Sequence, residues 1–242
     1  MYFQITTRCN MECPHCCYDC TAEGIDMSVE TFRNALSWNI EMYENEFELI
    51  LGGGEPTLHP NFKEFLMDAL MYSGVPYVIT NGSNKEISLG LAKLNNLMGE
   101  RRVAVLSWDV YHEKKMVDDK VFEAFSRQKS LRDVGDHEIC TGRAIEYAIG
   151  GAVGCVCSTL FLKPDGFVKF CGCEDAPIIG SVNSPAELSK LTSTVEYYRD
   201  NLDLIDEDYY CPEICCYQNV IGTIKEGGEY KRLKNQTKPL NK

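Results

Sequence analysis

The sequence predicts an α/β protein, a partial and open parallel β/α barrel with a small C-terminal cysteine-rich extension of hairpin plus helix. Three observations carry that expectation. Short β-like runs alternate with amphipathic stretches through the first 150 residues, the pattern of parallel β/α units. Five such strands are too few to close an eight-stranded barrel. Cys9, the Gly52 to Glu55 run, Asn81 and Asp109 each directly follow a strand candidate, where the functional loops of β/α folds gather.

The strand candidates are residues 2–6, 47–51, 76–80, 102–108 and 137–141, with helices expected at 28–43, 61–72, 85–98 and 118–129. In the first helix Phe32, Leu36, Ile40 and Tyr43 recur at three- and four-residue steps and form one apolar face. Ser28 precedes it with Thr31 three residues on, an N-cap without the full capping box. After Gly150 the character changes. Residues 159–162 and 167–170 read as a hairpin around Lys163-Pro164-Asp165-Gly166, and helices follow at 185–191 and 195–202. The chain thus divides into a core, 1–150, and an extension with a basic tail, 151–242.

With 242 residues the chain can bury one sizeable core. Its net charge of −12 argues against nonspecific attraction to nucleic acid. No apolar run suggests a membrane span or a signal peptide, so a cytoplasmic location is expected. The thirteen cysteines, an odd number in uneven clusters, do not suit a secreted disulfide framework. They fall into an early group (Cys9, Cys13, Cys16, Cys17, Cys20) and a late one (Cys155, Cys157, Cys171, Cys173, Cys211, Cys215, Cys216), with Cys140 alone between them. Two groups suggest two metal sites.

The run Cys9-Asn10-Met11-Glu12-Cys13-Pro14-His15-Cys16 has the spacing C-x3-C-x2-C. Three thiolates on one loop can hold three corners of an Fe–S cube and leave its fourth iron open, whereas such clusters usually take four cysteines. Zinc is the competing reading, but zinc sites usually pair two short-spaced dyads, and this triad fits that layout poorly. The spacing, placed after the first strand, resembles the signature of the radical S-adenosylmethionine superfamily. That resemblance implies a [4Fe-4S] cluster on Cys9, Cys13 and Cys16 whose open iron chelates S-adenosyl-L-methionine. It also implies that His15, where the family usually has an aromatic residue, lies near the adenine. A packing histidine is compatible with this.

Leu51-Gly52-Gly53-Gly54-Glu55-Pro56-Thr57 follows the second strand candidate. Alone it is a tight turn that lets backbone approach a ligand. In the superfamily a Gly-Gly-Glu-Pro run in this place contacts the cofactor's methionine amino group, and Gly53, Gly54, Glu55 and Pro56 match it. The resemblance extends to Asn81 and to Ser107-Trp108-Asp109. Ser107 or Asp109 would meet the ribose, since a carboxylate can accept from both vicinal hydroxyls; a loop-capping role is the plainer alternative for Asp109. Gly142-Arg143-Ala144 looks like a motif of members with an added cysteine-rich segment, in which Arg143 could pair with the cofactor carboxylate. A surface arginine is the alternative.

Cys157 and Cys171 flank the hairpin, with Gly166 five residues before Cys171. This resembles the so-called twitch segment, a shortened SPASM extension. It implies an auxiliary [4Fe-4S] cluster on Cys157, Cys171, Cys211 and Cys215, with Cys155, Cys173 and Cys216 as possible substitutes and zinc as the rival metal.

The resemblance implies reductive cleavage of S-adenosylmethionine to a 5′-deoxyadenosyl radical that abstracts hydrogen from a small-molecule substrate, with electrons from a donor such as flavodoxin or ferredoxin. In size and general run the chain resembles the queuine lyases, which release 7-aminomethyl-7-deazaguanine from queuine in queuosine salvage. No single motif carries this likeness. A purine-like edge and a diol would be met by carboxylates and histidine, and Glu12, Asp19, His112 and Glu113 are the candidates; Glu174 and Asp175 could also serve. The alternatives are a peptide- or protein-modifying radical enzyme, for which no leader-binding domain is expected before Met1, and an iron–sulfur carrier or zinc adaptor. A carrier has no need of the Gly52 to Pro56 turn.

Overall fold

The computed structural model describes residues 1–43, 49–73, 76–99, 101–132, 142–147, 160–169, 171–172, 176 and 178–200. In chain order these form β1 (Tyr2–Thr6), α1 (Val29–Tyr43), β2 (Ile50–Gly53), α2 (Phe62–Ser73), β3 (Tyr77–Thr80), α3 (Lys85–Met98) and β4 (Ala104–Ser107). There follow α4 (Asp119–Arg127), β5 (Leu131–Arg132), α5 (Arg143–Glu146), β6 (Phe161–Leu162), β7 (Phe167–Lys169), β8 (Ile178–Ser181) and α6 (Pro185–Asp200). The strands make one sheet in the order β5-β4-β3-β2-β1-β6-β7-β8. Pairing is parallel from β5 through β6 and antiparallel for the last two ladders. Among the described residues the two edge strands do not meet, so the sheet is open as expected.

Alternation along β1 builds the core. Phe3 and Ile5 are fully buried, and the Phe3 ring meets Phe32 of α1 edge-on at 5.7 Å. Phe32 in turn stacks on Phe65 of α2 at 4.0 Å. Burying each ring contributes about 1.5–3 kcal/mol, and the pairing geometry adds a smaller increment. The expected cap of α1 is present: Thr31 N–H donates to Ser28 Oγ at 3.0 Å. The Ser28 hydroxyl in turn donates to the Thr31 hydroxyl at 2.9 Å.

Several expectations need correction. The fifth parallel strand is β5 at Leu131–Arg132, directly after α4, where Leu106 and Ser107 pair with it; residues 137–141 lie outside the described residues. The first hairpin strand is a sixth parallel strand, since Phe161 and Leu162 pair with Tyr2 and Phe3. The hairpin therefore extends the core sheet, and β8 adds an unexpected antiparallel edge. The two C-terminal helices are one, α6. Between the two expected helices, the Thr192 and Thr194 side chains bond back to carbonyls one turn earlier. Thr192 reaches Leu188 O at 2.9 Å and Thr194 reaches Lys190 O at 2.8 Å, so the helix continues with its ladder intact. No described helix is long and apolar enough to cross a membrane.

Candidate functional site

The carboxyl end of β1 runs into the loop bearing Cys9, Cys13 and Cys16, which the strands beside it hold in shape. Cys9 N–H donates to Thr21 O at 2.7 Å, and Cys16 N–H to Cys13 O at 3.1 Å. Three further donors aim at sulfur: Met11 N–H and Asn81 Nδ2 at Cys9, 3.4 and 3.7 Å away, and Cys20 N–H at Cys16, 3.4 Å. Such bonds favour thiolates. Among the described residues, the one group of three His, Cys, Asp or Glu ligand atoms within 4.8 Å of one another is His15, Asp109 and His112.

The thiols are electrostatically unequal. Burial pushes Cys9 up to about 11 and Cys13 to about 12. Cys16 is held down to about 6 by the Cys20 thiol beside it; burial opposes this, and the loop N–H groups and Arg143 add to it. Cys17, pushed up to about 12 by burial, is the less ready ligand. Cys20 is buried and raised further by the Cys16 contact and burial.

The glycine turn after β2 lies against this loop. Gly54 N–H donates to Thr6 O and Glu55 N–H to Arg8 O, both at 2.8 Å. A Cβ on Gly54 would stand 2.3 Å from Arg8 O and 3.0 Å from Cys9 Cβ. Only glycine fits, because the obstacle is backbone. Gly54→Ala should therefore push the cysteine loop aside, and iron bound per chain after anaerobic reconstitution should fall to under about half, a cost above the usual core overpacking of ~1–3 kcal/mol. Unchanged iron content would contradict this reading of the turn.

Glu55, expected at the cofactor, turns inward and is fully buried. Its carboxylate accepts from Thr57 N–H at 3.1 Å and from the Thr57 hydroxyl. It also accepts from the Thr80 hydroxyl at 2.7 Å and Asn81 N–H at 2.6 Å. Burial pushes this carboxyl above its ordinary value, and the four donors pull it part of the way back. Glu55 thus ties the ends of β2 and β3 together, with Pro56 buried beside it. Thr57 and Thr80 went unassigned in the sequence. The Glu-Pro-Thr order, an acceptor two residues before a donor at a helix start, is the local signal that could have found Thr57; nothing local points to Thr80.

Arg143 is not a surface arginine. Its guanidinium reaches Cys13 O at 3.2 Å, Cys20 O at 2.7 Å and Asp19 Oδ1 at 3.0 Å, and its N–H donates to Cys16 O at 3.0 Å. Gly142 before it has φ +58° and packs on the Cys16 and Cys17 carbonyls. Arg143 clamps the cysteine loop, and lysine cannot reproduce its planar fork. Arg143→Lys should lose bound iron nearly as fully as Arg143→Ala; full retention by lysine would show that the charge alone suffices.

Asp109 lies past the end of β4, with its side chain 2% exposed. Its Oδ1 accepts from the N–H groups of Tyr111 at 2.8 Å and His112 at 3.1 Å. His15 Nε2 stands 3.2 Å from Oδ2 and His112 Nδ1 2.9 Å from Oδ1. Burial pushes the Asp109 carboxyl up, but the histidines and the Tyr111 N–H outweigh it and hold it below its ordinary value. Burial pushes the His15 ring below its ordinary value, so it is neutral at pH 7. The carboxylate expected on a ribose thus faces two histidines.

Among the substrate candidates, Asp19 is engaged by Arg143 and His112 by Asp109. Glu113 accepts from Glu12 N–H at 3.1 Å, which leaves the Glu12 side chain exposed beside it. Ser107, half-buried, ends β4. Cys171 is buried, and the adjoining Gly172 packs on Tyr18 of the cysteine loop. Cys140, Cys155, Cys157, Cys173, Glu174, Asp175, Cys211, Cys215 and Cys216 lie outside the described residues.

No family model and no curated protein matches this chain. Solved structures do. The chain is similar to BtrN in complex with AdoMet and 2-DOIA, at 15% identity and a TM-score of 0.59 over 86% of each chain. It is similar to native anSMEcpe with bound AdoMet, at 14% identity and a TM-score of 0.53 over 82% of each chain. The same protein with AdoMet and the Cp18Cys peptide matches at 14% identity and a TM-score of 0.53, over 88% of this chain and 83% of that one. What is shared at such identity is the fold, here that of two proteins whose structures hold AdoMet.

Proposed function

We propose that this chain is a radical S-adenosylmethionine enzyme. The observation that carries the reading is the C-x3-C-x2-C loop at the carboxyl end of β1, with N–H donors aimed at the Cys9 and Cys16 sulfurs. Bound there, a reduced [4Fe-4S] cluster would supply the electron that splits S-adenosylmethionine into methionine and a 5′-deoxyadenosyl radical. The chain's own residues prepare that place. Cys9, Cys13 and Cys16 would hold the cluster, with Arg143 and the backbone of Gly54 fixing the loop. Gly53, Asn81 and Ser107, at strand ends, would face the cofactor, while Glu55 braces the turn from behind. With Asp109 committed to two histidines, Ser107 is the better ribose candidate.

The substrate we infer is a small polar molecule, and queuine is the specific candidate on the general likeness of the chain. Glu12 and Glu113, side by side at the rim, are carboxylates able to accept from a purine-like edge. The reading includes an external electron donor of the flavodoxin or ferredoxin kind and an auxiliary cluster to which Cys171 contributes. A peptide substrate is the second reading, favoured by the likeness to a structure holding a peptide.

The test is anaerobic reduction of the reconstituted protein with S-adenosylmethionine. Formation of 5′-deoxyadenosine is expected, and its absence rejects the radical reading. Queuine should stimulate that formation and yield a 7-deazaguanine product by mass. Queuine returned intact while a peptide is altered moves the substrate to the second reading.

A further inference from the structure

We propose that His15, Asp109 and His112 form a separate site for a first-row divalent cation, bridging the cluster loop to the end of β4. Their ligand atoms lie within 4.8 Å of one another. The two close pairs, His15 Nε2 to Asp109 Oδ2 at 3.2 Å and His112 Nδ1 to Asp109 Oδ1 at 2.9 Å, bring both rings to one carboxylate at distances that neighbouring ligands of one ion also show. Metal–nitrogen and metal–oxygen bonds near 2.0–2.2 Å place adjacent donors about 2.9–3.4 Å apart.

Close approach alone would equally describe a hydrogen-bonded relay. The alignment tells against that: His15 Nε2 and His112 Nδ1 stand 3.2 and 2.9 Å from the carboxylate, yet Asp109 Oδ2 and His112 Nδ1 are buried without a well-directed hydrogen bond. Buried polar atoms left so are rare and costly, and an ion held between the carboxylate and the rings would satisfy both. The backbone also prepares the carboxylate: the Tyr111 and His112 N–H groups bond Oδ1, and no backbone donor reaches Oδ2. The side chains are 13%, 2% and 7% exposed for His15, Asp109 and His112, so the donors are shielded from bulk water. Tilted rings of His112 and Tyr111 stand 5.0 and 5.3 Å from His15.

Two histidines and one carboxylate suit zinc, iron(II), cobalt or manganese, and three protein ligands leave a position open for water or a substrate oxygen. His15 lies between Cys13 and Cys16 in sequence, so an oxygen bound to this ion would be held beside the cluster loop. That last step rests on the proposed function; the ion site itself does not.

The test uses the full reconstituted protein under anaerobic conditions, with Mn(II) alone followed by EPR and, separately, Co(II) alone followed by equilibrium dialysis. Mn(II) is chosen because it has little affinity for thiolate. One saturable site per chain is expected for at least one ion, with a rise in melting temperature on binding. Asp109→Asn and His112→Ala should each weaken it by at least about tenfold, while Glu123→Gln, on the exposed side of α4, leaves it intact. Should the Asp109 variant fail to fold, the His112 variant and the wild-type titration still decide. Absence of a saturable site for both ions in the wild type, or equal binding by the variants, overturns the proposal. Because metal binding is read directly, this outcome is independent of whether S-adenosylmethionine is cleaved.

Discussion

Replacing Cys9, Cys13 or Cys16 singly by alanine should lower 5′-deoxyadenosine formation by on the order of 10³-fold or more, equivalent to a loss of ~4 kcal/mol in the barrier. Each thiol would hold one corner of the cluster, and no spare ligand replaces it. Cys17, the nearest substitute in sequence, carries a thiol pushed up to about 12 by burial; Cys20 N–H donates to Cys16 Sγ, and the Cys20 thiol is itself buried. Cys17→Ala should accordingly keep the iron, whereas the three triad variants lose it. Iron analysis and visible absorption separate the cases before activity is measured. A triad variant with full iron and normal cleavage would displace that cysteine from the assignment, and equal loss in Cys17→Ala would mean that the ligand set has been misread.

Glu55→Ala should be the most destabilising single change at the site. It leaves four donors, two from Thr57 and one each from Thr80 and Asn81, facing a buried space with no acceptor. An unsatisfied buried donor costs about 1–3 kcal/mol. Allowing for relaxation, a total of about 3–5 kcal/mol is expected, which lowers the melting temperature by roughly 10 °C for a chain of this size. Glu55→Gln keeps the shape but turns an NH2 toward donors, so it should recover only part of the loss. The pH dependence has a definite sign. Burial raises this carboxyl above its ordinary value of 4.5, so the folded state binds the proton more tightly than the unfolded one. The contribution is fully present below the ordinary value and is lost as pH rises from there through the raised value. The stability of wild type relative to Glu55→Gln should therefore fall across that window. A flat difference, or one that rises with pH, would show that the four donors outweigh burial.

How much of this was legible in the sequence depends on how far apart the partners lie along the chain. The alternation of strands and helices is a local signal, and β1, β3, β4 and their helices lie close to where it put them. The strand at Leu131–Arg132 carried too short a run to register, and its pairing with β4 comes from the end of α4 delivering the chain there. Likewise the hairpin was visible from its Pro-Asp-Gly turn, but nothing in residues 159–170 says that Phe161 will pair with Tyr2.

The same division runs through the site. Cys9, Cys13 and Cys16 share one loop, so spacing alone was enough to single them out as cluster ligands, and Gly54 stands next to a strand end where close approach is easily anticipated. Glu55 and Asp109 were singled out too, but for the wrong neighbours. Which way a carboxylate turns depends on what the adjacent strand presents: Thr80 and Asn81 come from β3, and His15 comes from a loop ninety-four residues before Asp109. Spacing and alternation along the chain were enough for the cysteine loop, the glycine turn and the parallel β/α order. Only the tertiary structure decided that Glu55 braces two strands, that Arg143 clamps the cysteine loop and that His15, Asp109 and His112 converge. Spacing records neighbours along the chain; packing across the strand ends creates the others.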